Sequence, residues 1–137
     1  MPRLRIQLGP TIKQYGRFHL KQFEVYRDDQ AISTHAFQVV LEHLEGGEDH
    51  LDTITTEESD LEGMLKHLHI LHRGVYIDIT RAKHFLPQTD NDLGRAGYLM
   101  VLQEGTLRYT CLLSAIRELE PDYQPDESPV NLDPFPP

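Results

Sequence analysis

The chain has one cysteine, Cys111, no run approaching the ~18 apolar residues of a membrane-spanning helix, and no interior Gly-, Ser- or Pro-rich linker. A lone thiol excludes an internal disulfide and fits a reducing, intracellular compartment. Met1-Pro2-Arg3-Leu4-Arg5 is basic but lacks the apolar stretch of a secretory signal, so a cytoplasmic protein without membrane contact is expected. Also missing are a Gly-x-Ser-x-Gly elbow, a Gly-rich phosphate loop, a dinucleotide fingerprint and any internal repeat. These absences remove the common signatures of hydrolases, nucleotide-binding enzymes and solenoids.

What is present is one domain's worth of chain. Its 137 residues, 39% hydrophobic and 26% charged, suffice for a single core. The net charge of −9 is unevenly spread. Residues 1–30 carry six basic and three acidic side chains, 31–63 none and nine, 64–117 seven and four, and 118–137 none and six. Two acidic blocks therefore interrupt a mildly basic molecule. From Pro121 the composition changes, with six of the nine prolines in the last 17 residues. Proline is excluded from helix interiors and cannot donate to a ladder, so a single domain over 1–120 is expected, followed by an acidic, disordered tail over 121–137.

Periodicity then gives the elements. Leu4, Ile6 and Leu8 alternate with polar residues as a half-buried strand, ended by Gly9-Pro10. Residues 17–26 read as a second strand whose apolar phase changes between Leu20 and Phe23, which a bulge at Lys21-Gln22 would reconcile. Phe37, Val40, Leu41 and Leu44 fit a helix over 34–45, capped by Ser33 or Thr34 and by Gly46-Gly47. A strand turning at Gly46-Gly47 is the alternative. Ser59-Asp60-Leu61-Glu62 opens a helix over 60–73 as a capping box. Val75, Ile77 and Ile79 read as a strand, and 84–96 as a loop. Residues 98–112 read as a hairpin about Glu104-Gly105, followed by a short helix to Leu119, although Tyr109, Leu112, Ile116 and Leu119 also keep helical spacing. The expected fold is α+β: a mostly antiparallel sheet of about five strands, two main helices on one face, and the tail.

For function, charge segregation favours a non-enzymatic protein-binding module: an adaptor, an inhibitor, an immunity-like protein or a viral accessory protein. Its acidic surface, Glu42, Glu45, Glu48, Asp49, Asp52, Glu57, Glu58 and Glu62, would meet a basic partner, Phe135 would anchor the tail in a partner groove, and the chain would form a homodimer. The first alternative is a metal-dependent enzyme or sensor. His69 and His72, three apart on a helix, would share a divalent transition metal with Asp78 and His84, while His67 lies on another side of the helix. A second alternative is single-stranded nucleic-acid binding through Arg3, Arg5, Lys13, Arg17, Lys21 and Arg27, interleaved with Tyr15, Phe18, Phe23 and Tyr26; the acidic remainder argues against it. Cys111 is expected to be a buried, inert thiol.

Overall fold

The computed structural model describes residues 3–32 and 35–134. Five strands come first: β1 (Leu4–Tyr15), β2 (Phe18–Arg27), β3 (Gln30–Ile32), β4 (Ala36–Glu42) and β5 (Glu48–Thr55). Two long helices follow, α1 (Leu61–Phe85) and α2 (Asp92–Leu119). The antiparallel sheet runs β1-β2-β4-β5, with β3 pairing the far end of β2. The expected class, α+β with a five-stranded antiparallel sheet and two helices, is what the chain adopts.

Register explains which side chains meet the helices. Phe18 faces Leu41 and Leu20 faces Val39 across β2 and β4, and antiparallel partners share a side. These four and Ile54 of β5 pack against Met64, Leu65 and Leu68 of α1 and Leu112, Ala115 and Ile116 of α2. Each large apolar side chain buried here contributes about 1.5–3 kcal/mol. The core thus joins the sheet to the first half of α1 and the last half of α2. The opposite ends of the two helices extend beyond it as a hairpin clear of the sheet, with Val75, Ile79 and Ala82 of α1 buried there. Gly105 lies so close to α1 that a Cβ there would approach Ile79 to 3.0 Å.

Several elements differ from expectation. Residues 36–42 form a strand, and Gly46 and Gly47, both at positive φ, turn it into β5. The helical spacing arose because Val39 and Val40 are both buried, on opposite faces of the sheet. Ser33 and Thr34, the expected caps, lie outside the described residues. Val75, Ile77 and Ile79 belong to α1, because Met64, Leu68, His72, Val75, Ile79 and Ala82 form one stripe running past Gly74. Residues 98–112 are helical, with Gly105 serving close packing instead of a turn. β1 continues beyond Gly9-Pro10 to Tyr15, and the phase change expected in β2 is taken up by register shifts at Leu8/Thr11 and Thr11/Lys13 of β1. β2 stays regular, so Phe23 and Val25 face away from the helices. The N-cap of α1 is Asp60, which accepts from the Gly63 N–H at 2.7 Å, while Ser59 is fully buried beneath Lys13. The last helix ends at Leu119, and Tyr123 beyond it still packs against the core.

Candidate functional site

The acidic block 42–62 covers the end of β4, its turn, β5 and the start of α1, and most of its carboxylates are answered from within the molecule. Glu42 bonds His19 at 2.9 Å and Glu48 reaches Lys21 at 3.3 Å. Asp49 takes two hydrogen bonds from the Arg108 guanidinium, at 3.0 and 3.1 Å, tying the sheet edge to α2. Val39 pairs with Asp52 but Val40 with His50, so Leu51 is an extra residue in β5. This bulge lets Asp49 and Asp52, of opposite parity, both reach the helices. His67 of α1 sits between Asp52, at 3.3 Å, and Glu58. The hydrogen bond from His67, with those from Thr55, lowers the Glu58 carboxyl to about 2. The same contact with Glu58, then Asp52, raises the His67 imidazole.

Of the acid left over, Glu45 lies at the β4–β5 turn and the rest around the start of α1. Glu57 and Glu62 line a shallow groove with Gly63, Lys66 and Ile70. Glu57 and Glu45 make no ion pair among the described residues, and Glu62 has only the exposed Lys66, at 3.8 Å. Of the predicted acidic surface, therefore, Glu45, Glu57 and Glu62 keep free charge. Glu42, Glu48, Asp49, Asp52 and Glu58 join the strands to their neighbours.

Exposed apolar side chains gather in two places. Leu93, Met100 and Leu107 recur every seventh residue on α2, 85%, 57% and 66% exposed, with Ala96 and Gly97 exposed among them. Leu44, at the β4–β5 turn, borders the same hollow as Leu107. The second patch covers the sheet face away from the helices, where Ile6, Val25 and Ile32 stand side by side across β1, β2 and β3, next to the Leu8–Phe23 pair.

The basic and aromatic residues of β1 and β2 are divided by the fold. Phe18 is core, Tyr15 and Lys13 bond Ser59, Arg17 bonds Glu118 and Ser114, and Lys21 bonds Glu48. Only Arg3, Arg5, Arg27 and Tyr26 share the distal end of the hairpin, with Arg5 over the Tyr26 ring at 4.6 Å.

Two histidines of α1, His69 and His72, serve the tail. His72 is 1% exposed, stacks on Tyr109 with centroids 4.1 Å apart, and contacts the Tyr109 carbonyl through Nε2 at 3.1 Å. A carbonyl only accepts, so Nε2 carries the proton and Nδ1 accepts from the Tyr123 hydroxyl at 3.0 Å. Burial lowers the pKa of His72. His69 stacks on Tyr123 and bonds Glu120 at 2.6 Å. Tyr109 in turn donates to Glu127 at 2.6 Å; burial, then this bond, raises its phenol. His84 contacts Phe85 and Gln88 at the far end of α1, and Asp78 is exposed between. His69, His72, Asp78 and His84 thus do not converge, and among the described residues no group of three or more His, Cys, Asp or Glu is placed to hold a metal ion. Cys111 packs at the edge of the core on α2.

The tail itself is extended and follows α1. Arg73, Tyr76 and Arg81 hold it by main-chain carbonyls between Asp126 and Asp133. Sequence reasoning missed these residues because it placed a strand at 75–79; read as one helix, 60–85 puts them on a common side. Phe135 lies outside the described residues. The chain matches no protein-family model, no curated protein and no solved structure.

Proposed function

We propose that the protein is a non-enzymatic binding module that holds another polypeptide, a second copy of itself first of all, and offers the acid around the start of α1 to a basic partner surface. The observation that carries this reading is the exposed row Leu93, Met100 and Leu107. On the outer half of α2, Tyr98, Leu102 and Gly105 are half-buried, while Leu93, Met100 and Leu107 are exposed. A helix apolar on both sides is suited to burial on both. The seven-residue repeat is the period at which helices pack along their length, and Ala96 and Gly97 allow a second backbone to come close. An adaptor, an inhibitor, an immunity-like protein or a viral accessory protein would each use such a surface to hold its partner.

The test is sedimentation velocity over a range of concentrations, on the wild type and on Met100→Glu with Leu107→Glu. The expected result is a wild-type dimer, at least ten-fold weaker in the double variant, with an unchanged far-UV spectrum. A wild type that stays monomeric at roughly 100 μM, where even a weak dimer with micromolar Kd is populated, refutes the self-association.

A further inference from the structure

The tail is rooted on two histidines of α1 before it runs along the helix. The Tyr123 N–H donates to the Glu120 carbonyl at 3.0 Å, Arg117 Nε donates to the Tyr123 carbonyl at 3.2 Å, and His69 Nε2 donates to the Glu120 carboxylate. The Tyr123 ring stacks on His69, with centroids 4.7 Å apart, and its hydroxyl donates to His72 Nδ1. Beyond this root the contacts face water. Arg73 pairs with the Asp126 carboxylate at 3.8 Å and donates to the carbonyls of Asp126, Ser128 and Pro129, while Glu127 takes Tyr109 on its carboxylate and Tyr76 on its carbonyl. Exposed contacts of that kind are individually weak, whereas the root closes over an imidazole that is 1% exposed.

His72 has room for one proton only. Its Nε2 carries the hydrogen that the Tyr109 carbonyl accepts, so Nδ1 must offer a lone pair to the Tyr123 hydroxyl. A second proton, on Nδ1, would point an N–H at a hydroxyl already donating to it and would place a charge beneath the tail. The groups that face the ring are Tyr109 and Arg117 of α2, His69 of α1, and Tyr123 and Glu127 of the tail. Glu127 is the one negative charge among them, and its carboxylate is engaged by the Tyr109 hydroxyl. Burial outweighs its attraction and lowers the His72 pKa below the ordinary 6.5. With Tyr123 lifted away, Nδ1 opens to water and takes its second proton freely. His69 differs: its Nε2 already donates to Glu120, so a proton added at Nδ1 leaves that bond in place.

We propose that His72 is a pH-operated latch: while neutral it holds the tail on α1, and its protonation as the pH falls releases the segment from Tyr123 onward, with Glu120 on His69 as the pivot. Release uncovers Arg73, Tyr76 and Tyr109. The device works within one chain and is independent of self-association through α2. A ring that titrates normally when released and resists the proton when covered raises the ratio of released to seated tail by up to about ten-fold between about pH 7.5 and about pH 5.5.

Glu127 is the only glutamate in residues 121–137, and its carbonyl is held by Tyr76 while the tail is seated. A glutamate-specific protease therefore cuts after Glu127 from the released form, at a rate that follows its population. The rate on the full chain, read by mass spectrometry and divided by that for a free peptide of residues 121–137 at the same pH, is expected to rise about three- to ten-fold from about pH 7.5 to about pH 5.5. Cuts after Glu24 in β2 and Glu104 in α2 are expected to stay rare. His72→Phe, which cannot titrate, is expected to show no rise, and His69→Gln to keep it. A flat ratio in the wild type, a rise that survives in His72→Phe, or one that is lost in His69→Gln would overturn the proposal. So would a rise matched by cuts after Glu24 and Glu104, because the whole domain would then be unfolding.

Discussion

Replacing His72 tests the account of how the tail is rooted. The ring is 1% exposed, bonded at both nitrogens, and packed against two tyrosine rings. His72→Ala removes two hydrogen bonds at about 1 kcal/mol each and a buried ring, whose cavity and lost stacking cost about 1–2 kcal/mol more after relaxation. The expected loss is therefore about 3 kcal/mol, or roughly 10 °C in Tm for a domain of this size. His72→Phe keeps the ring and loses the hydrogen bonds, costing about 1–2 kcal/mol. The pH dependence separates the polar role from packing. Tyr109, Tyr123, Glu127, His69 and Arg117 face the imidazole; burial outweighs the attraction of Glu127 and lowers the folded pKa below its ordinary 6.5. As pH falls below 6.5, the unfolded chain takes up a proton that the folded one resists, so stability drops. His67, held by Glu58 and Asp52, has a raised pKa: its contribution is complete below 6.5 and is lost as pH rises through the folded value. Thermal unfolding between about pH 5 and pH 8 should show His72→Phe flattening the acid limb and His67→Gln the alkaline limb. An acid limb unchanged in His72→Phe would refute the reasoning.

Three further outcomes follow from the packing and the charges. Reversing Glu45, Glu57 and Glu62 to lysine should abolish capture of a basic partner in a pull-down while Tm moves by no more than about 2 °C, whereas adding Glu58→Lys should also destabilise the fold, since Glu58 is held by His67 and Thr55. Capture unaffected by the triple reversal removes that acid from the binding surface. Leu112→Ala, at the meeting point of α2, α1 and the sheet, should lower stability by about 2–5 kcal/mol in urea titration, and a change below about 1 kcal/mol would contradict its place in the core. Asp28 and Asp29 both take positive φ in the two-residue turn between β2 and β3, so Asp29→Gly should stabilise by about 0.5–1 kcal/mol, read as a higher Tm; a lower one would refute the strain argument.

How far the sequence could be read depended on whether one spatial face was buried at each element. The start of β1 and the first half of α1 were legible, because Leu4, Ile6 and Leu8 alternate cleanly, although Leu4 and Ile6 stay exposed, and Leu61, Met64, Leu65 and Leu68 keep one stripe. β4 was obscured by Val40, which lies between His19 and His50 on the outer face and is buried there, so two adjacent valines mimicked a helix. The outer half of α2 was obscured by its exposed Leu93, Leu99, Met100 and Leu107, which add apolar residues away from the α1 contact and supply alternation as readily as helical spacing. The acidic block was visible as composition, but its division into internal pairs and free charge was not. Pairing Asp49 with Arg108 spans 59 residues.

By itself the sequence determined what depends on neighbours along the chain: the α+β class, the proline-rich composition after Pro121, and the segregation of charge. Tertiary structure alone decided what depends on neighbours in space. A bulge at Leu51 turned two carboxylates of opposite parity toward the helices, three side chains of α1 became a clamp for carbonyls some fifty residues away, and His72 became a buried anchor instead of a surface histidine. The reason is physical: backbone propensity and periodicity act over a few residues, whereas burial, charge pairing and pKa are set by whichever segments the closed core brings within a few ångströms.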